Sequence, residues 1–68
     1  MGKKIDIVQG GYGGWAARVG GTVASMVPNL ETAKARAINL AISENETSVE
    51  VFDKNGNLIE TLEVKKEG

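Results

Sequence analysis

Pro28-Asn29-Leu30-Glu31-Thr32-Ala33-Lys34-Ala35-Arg36-Ala37-Ile38-Asn39-Leu40-Ala41 is the stretch on which the fold turns. Pro28 ends whatever precedes it. Asn29 is a good N-cap, because its side-chain oxygen can accept a free first-turn N–H, and Glu31 sits favourably against the positive end of the helix dipole. Leu30, Ala33, Ala37 and Ala41 then recur every three or four residues, flanked by Ile38 and Leu40. That spacing predicts a helix from Leu30 to about Glu44 with a narrow apolar stripe. Arg36, Asn39 and Ser43 fall on the solvent side. Alanines have little volume, so this helix can lie close against a sheet.

On the N-terminal side, Thr22–Val27 and Trp15–Val19 read as two strands joined by Gly20-Gly21, a pair suited to the positive φ of a primed hairpin turn. If Val19 pairs with Thr22, Ala17 faces Ala24 and Trp15 faces Met26. Trp15, Ala17, Ala24 and Met26 then share one face, with Trp15 read as core, and Arg18, Val23, Ser25 and Val27 point the other way. Four glycines within residues 10–14 mark a turn. Before it, Lys4–Val8 is rich in β-formers and reads as the first strand. On the C-terminal side, Asn45-Glu46 is a linker, Thr47–Phe52 a fourth strand and Asn57 to about Val64 a fifth, joined at Asn55-Gly56, a strong hairpin signal. A two-residue turn there sets Phe52 against Ile59, Val51 against Glu60 and Val49 against Leu62. The rival three-residue turn would oppose Glu50 and Glu60, so the two-residue turn is expected. The expected fold is α+β: an antiparallel β-sheet in the order β-β-β-α-β-β with one helix packed on one face. It forms a single domain over residues 1–68 with a charged tail at about 65–68.

Gly14-Trp15-Ala16-Ala17-Arg18, the alanines at 33, 37 and 41, and a closing hairpin with Val49, Val51, Asn55 and Gly56 together resemble the small bacterial domain family of unknown function DUF2188, nearly end to end. That family tends to carry a capping box at the helix start, of which Asn29 and Thr32 keep only half. The resemblance implies the same fold and carries no activity with it. Weaker likenesses are to the arm-binding domain of phage integrases, which is strongly basic, and to the antitoxin domain of HicB-type systems through Val27-Pro28-Asn29-Leu30.

The chain has 68 residues, no cysteine, no histidine and a net charge of -1. Without cysteine there is neither a disulfide nor a thiolate metal site, and a reducing, cytoplasmic location is expected. The start of the chain has no long apolar run, so neither a signal peptide nor a membrane span is predicted. Lysine and arginine are spread thinly, which argues against nucleic acid as a partner, since phosphate neutralisation supplies most of that affinity.

Residues 11–16 match the G-x-G-x-x-A dinucleotide fingerprint after Ile5-Asp6-Ile7-Val8, but that chemistry needs a helix starting at the glycines, and Trp15–Val19 reads as a strand too short for one. Asp53-Lys54-Asn55-Gly56-Asn57 has oxygen ligands but its glycine stands at the fourth position, where a calcium loop wants the sixth; turn chemistry explains it. No nucleophile–base–orienter set can be assembled, so no catalytic residue, cofactor or metal site is expected. The expectation is a non-catalytic protein-interaction or self-associating module whose partner is a homo-oligomer or a second protein. The alternative is a weak nucleic-acid-binding module using the sheet. The candidate interaction surface is the helix-free face, with Val23, Val27, Phe52 and Ile59 as its apolar members, Ala16 beside them and Arg18 among its rim.

Overall fold

The computed structural model describes residues 3–10 and 13–64. Five strands form one sheet: β1 (Ile5–Gln9), β2 (Trp15–Val19), β3 (Thr22–Val27), β4 (Ser48–Phe52) and β5 (Leu58–Glu63), with the helix α1 (Leu30–Ser43) between β3 and β4. The α+β class and the element order are those expected. The strand order is β3-β2-β1-β4-β5.

The sheet is mixed rather than purely antiparallel, because β1 and β4 pair in parallel. The cause is the helix. Two hairpin turns leave β3 running in the same direction as β1. The helical crossover then returns the chain to start β4 in that direction again, as a parallel connection requires. The first strand of the chain thereby becomes the centre of the sheet, and Ile5, Asp6 and Ile7 are all buried.

The helix behaves as its sequence predicts. The Asn29 side chain accepts the Thr32 N–H at 2.8 Å, and Ala33, Ala37 and Ala41 are fully buried against the sheet. Asn45, at φ 61°, lets the chain turn off the last turn. The Asn45 and Glu46 N–H groups return to the Ile42 and Ala41 carbonyls at 3.2 and 2.8 Å, a C-terminal cap that ties down what reads in sequence as a plain linker. The core is completed by Ile5, Ile7, Ala17, Val27, Val49, Val51 and Val64, with Trp15 half-buried at its margin. Lys34 on the helix reaches Glu60 on β5 at 2.9 Å, tying that edge of the sheet to the helix.

Both hairpins differ from expectation by one residue. In the first, Gly20 and Gly21 have φ of 59° and 86°, as a type I′ turn needs, and Val19 pairs with Thr22 as expected. A bulge opposite Ala17 and Arg18 then skips Ala24, so that Ala17 pairs with Ser25, Ala16 with Met26 and Trp15 with Val27. An extra residue reverses which side chains face inward beyond it. Val27, expected on the helix-free face, is therefore buried in the core beside Trp15, and Met26, expected in the core, is 76 % exposed.

In the second hairpin the turn has three residues, not two. The Gly56 N–H donates to the Asp53 carbonyl at 3.0 Å and the Asp53 N–H to the Asn57 carbonyl at 2.9 Å, with Gly56 at φ 84°, a turn closed by glycine in the left-handed region. Phe52 pairs with Leu58, not Ile59. The predicted clash of Glu50 with Glu60 does not follow, because a second bulge skips Ile59 and restores Val51 opposite Glu60 and Val49 opposite Leu62.

The Asp53 carboxylate fixes this turn by accepting the Asn55 and Asn57 N–H groups at 2.8 and 3.0 Å. These hydrogen bonds, the Asn57 one foremost, hold Asp53 below the usual carboxylate range. A carboxyl group whose folded pKa is depressed adds stability above its unfolded value, near pH 4, and loses it as pH falls through the lower folded value. Wild type should therefore lose stability on acidification below about pH 4, and Asp53→Asn should lose less over the same window. Urea midpoints taken from pH 5 to pH 2 test this, and parallel curves for the two proteins would show that Asp53 does not contribute.

Candidate functional site

Side chains alternate along each strand, so the residues between the buried core positions lie on the face opposite the helix. Among the described residues no secondary-structure element covers that face. The strand registers arrange it in two rows running across the strands. Ala16 pairs with Met26 and with Val8, Val8 with Phe52, and Phe52 with Leu58. These pairings make one continuous apolar row, Met26–Ala16–Val8–Phe52–Leu58, spanning all five strands. The second row lies one pleat away: Val23–Arg18–Asp6–Glu50–Thr61.

The polar row is held together internally. Arg18 donates to both Asp6 oxygens, from Nε at 2.7 Å and from a terminal nitrogen at 2.8 Å, a two-point pairing that fixes geometry as well as charge. The hydrogen bond to Asp6 raises the Arg18 pKa further above its usual value. Next to this pair the Lys4 ammonium meets the Glu50 carboxylate, and that hydrogen bond raises the lysine pKa in turn. Two positive and two negative groups cancel, so the row presents little net field. The apolar row is exposed at its ends: Met26 is 76 % and Leu58 52 % exposed. Ala16, by contrast, is 5 % exposed. It lies in register between Met26 and Val8. A shallow depression beside Phe52 continues the surface toward Lys54 and Gly56.

Of the surface read from sequence, Val23, Phe52, Ala16 and Arg18 stand on this face. Ile59 is 51 % exposed but sits at the bulge, out of register with Phe52, and Val27 belongs to the core. Met26, Val8 and Leu58 were not expected here. The period-two pattern of β1 could have shown Val8, since Ile5 and Ile7 point inward and place Val8 opposite to them. Met26 and Leu58 depend on the two bulges, which carry no local signature. The turn at Gly10 is closed by its N–H to the Gly14 carbonyl at 2.7 Å. The chain then continues as strand β2, so the glycines do not open a helix that could receive a pyrophosphate. Tyr12 and the charged tail lie outside the described residues.

No family model, no curated protein and no solved structure matches the chain. No described helix is long and apolar enough to cross a membrane.

Proposed function

We propose that the protein is a non-catalytic interaction module of the cytoplasm, of the DUF2188-like kind, which binds protein through the helix-free face of its sheet. The observation that carries this reading is the five-residue apolar row. An antiparallel sheet with one face in water normally alternates apolar inward with polar outward. Here a band of apolar side chains crosses the outward face from edge to edge, flanked by a row whose charges are already paired. An apolar strip with a polar border is the layout of a protein-binding surface. The same pairing disfavours nucleic acid: Arg18 and Lys4, two cations of this face, are paired with Asp6 and Glu50. Affinity for an oligonucleotide at physiological salt should be about 10⁻⁴ M or weaker.

Photocrosslinking in cells tests the reading. A benzophenone amino acid at position 26 or 58 should give discrete protein adducts, and the same group at Ala35, exposed on the helix, should not. Silent probes at 26 and 58, or the same adducts from all three positions, would remove the helix-free face as the binding surface.

A further inference from the structure

We propose that a cleft between β3 and the helix is a binding site for a small carboxylate carried on a short aliphatic stem. The cleft lies on the helix side of the sheet, at its β3 edge, and shares no residue with the apolar row. Ala24, Ser25, Arg36, Asn39 and Leu40 line it around a volume of about 330 Å³, near the lower end for small-molecule sites. Its origin lies in the bulge. Ser25 pairs with Ala17, and Ala17 is buried against the helix, so the surplus Ala24 turns Ser25 toward the helix. A hydroxyl thus occupies an inward position where the neighbouring strands carry core side chains, and small residues leave room above it. Arg36 and Asn39, three residues apart and therefore adjacent along the helix surface, bring their polar ends to the same cleft.

The polar groups here are uncommitted. Among the described residues, the side chains of Ser25, Arg36 and Asn39 have no hydrogen-bond or ion-pair partner. The depression beside Phe52 is of similar size, but its Asp6 and Arg18 are bound to each other and its Asp53 is taken up by its own turn. Convergent polar groups without internal partners beside an apolar wall are what a ligand site requires.

The donor set selects the ligand. The Arg36 guanidinium is a planar fork whose two parallel N–H groups match the two oxygens of a carboxylate. The Asn39 amide and the Ser25 hydroxyl can donate to the remaining lone pairs. No acidic residue is among the described residues that line the cleft, so an anion meets one positive charge and no negative one. That balance suits a monoanion better than a phosphate dianion. Leu40 and Ala24 supply the apolar wall for the stem. Free short-chain acids and peptide C-termini both offer this group. For so few atoms in a half-open cleft, a dissociation constant on the order of 1–10 mM is expected.

Titration of the nitrogen-15-labelled protein by NMR, at fixed ionic strength, tests the site. Butyrate should give saturable shifts at the backbone amides of Ala24, Ser25 and Leu40 and at the Asn39 side-chain amide. Butyramide, the same stem without the charge, should leave those signals in place, and phosphate should bind at least about fivefold more weakly. Arg36 is exposed and unpaired among the described residues, so Arg36→Gln should keep the rest of the spectrum, and hence the fold, while weakening butyrate binding at least about fivefold. Ile42→Ala, outside the cleft, should bind as wild type does. N-acetylalanine, which carries the carboxylate as a peptide C-terminus does, is titrated beside butyrate. Saturable binding of either supports the site, and the tighter of the two names the source of the carboxylate. Shifts that grow without saturating, a butyramide response equal to that of butyrate, phosphate bound as tightly, or unchanged binding by Arg36→Gln would each overturn the proposal. The helix-free face takes no part in these measurements, so their failure is distinct from a failure of the interaction reading.

Discussion

Replacing Ile7 by alanine should lower the thermal midpoint by roughly 10–30 °C. Ile7 is fully buried on the central strand, paired on one side with Ala17 and on the other with Val51, in the same cluster as Ala33 and Ala37. The alanines around it have no spare side chain to move into the space. The void should stay open, and a buried Ile→Ala change costs about 2–5 kcal/mol under such conditions. In a domain of this size each kcal/mol corresponds to about 4–8 °C. A chain of 68 residues has a total stability of only roughly 3–10 kcal/mol at typical per-residue values, so the variant retains little. Ile42→Ala, at a helix position 39 % exposed, is the control and should move the midpoint by a few degrees at most. Circular dichroism melts of the two variants decide the matter. Equal shifts would show that the core is not centred on β1.

The second large effect concerns the ion pair in the middle of the open face. Arg18→Met leaves Asp6, whose side chain is 12 % exposed, without the two hydrogen bonds that hold it. Hydrogen bonds to a charged group are worth about 1.5–3 kcal/mol, and an unmet buried charge adds its own desolvation. The urea midpoint should fall accordingly. Removing both partners, as Asp6→Leu with Arg18→Met, should recover most of the loss, because apolar side chains of similar size replace a partly buried pair at little net cost. The double-mutant cycle therefore expects strong coupling. Additive losses would mean that Arg18 acts through its aliphatic stem rather than through its charge.

These expectations draw unevenly on the sequence. The helix was legible because three signals agree: the Asn29 cap, the spacing of Ala33, Ala37 and Ala41, and Pro28 before them. The Gly20-Gly21 turn was legible because two adjacent glycines accept the positive φ that primed two-residue hairpin turns require. Beyond that turn, Thr22–Val27 offers apolar side chains on both faces, so alternation could not reveal that Ala24 drops out of register. Around Asn55-Gly56 the sequence suits a two- or a three-residue loop equally. The opposition of Glu50 and Glu60 was a sound reason to doubt the longer one, but the chain avoids it by a bulge at Ile59 instead of by the shorter turn. The parallel pairing of β1 with β4 lies in how the helix carries the chain across the sheet, which no local pattern encodes. The open face suffered most, because one slipped residue in either outer strand exchanges core for surface. That is how Val27 and Met26 traded places.

Those two slips have a bearing on what the chain does when crowded. β3 and β5 are the outer strands, and each carries its surplus residue, Ala24 or Ile59, part-way along. A foreign strand laid against either one meets an interrupted series of donors and acceptors, where continuous sheet growth demands an unbroken one. Lateral polymerisation is thus obstructed on both sides, although Met26 and Leu58 remain exposed on the helix-free face. Concentrated solutions should consequently form finite, reversible particles in preference to fibrils, and excising Ala24 to straighten the β3 margin should be the change that lets thioflavin-positive filaments appear.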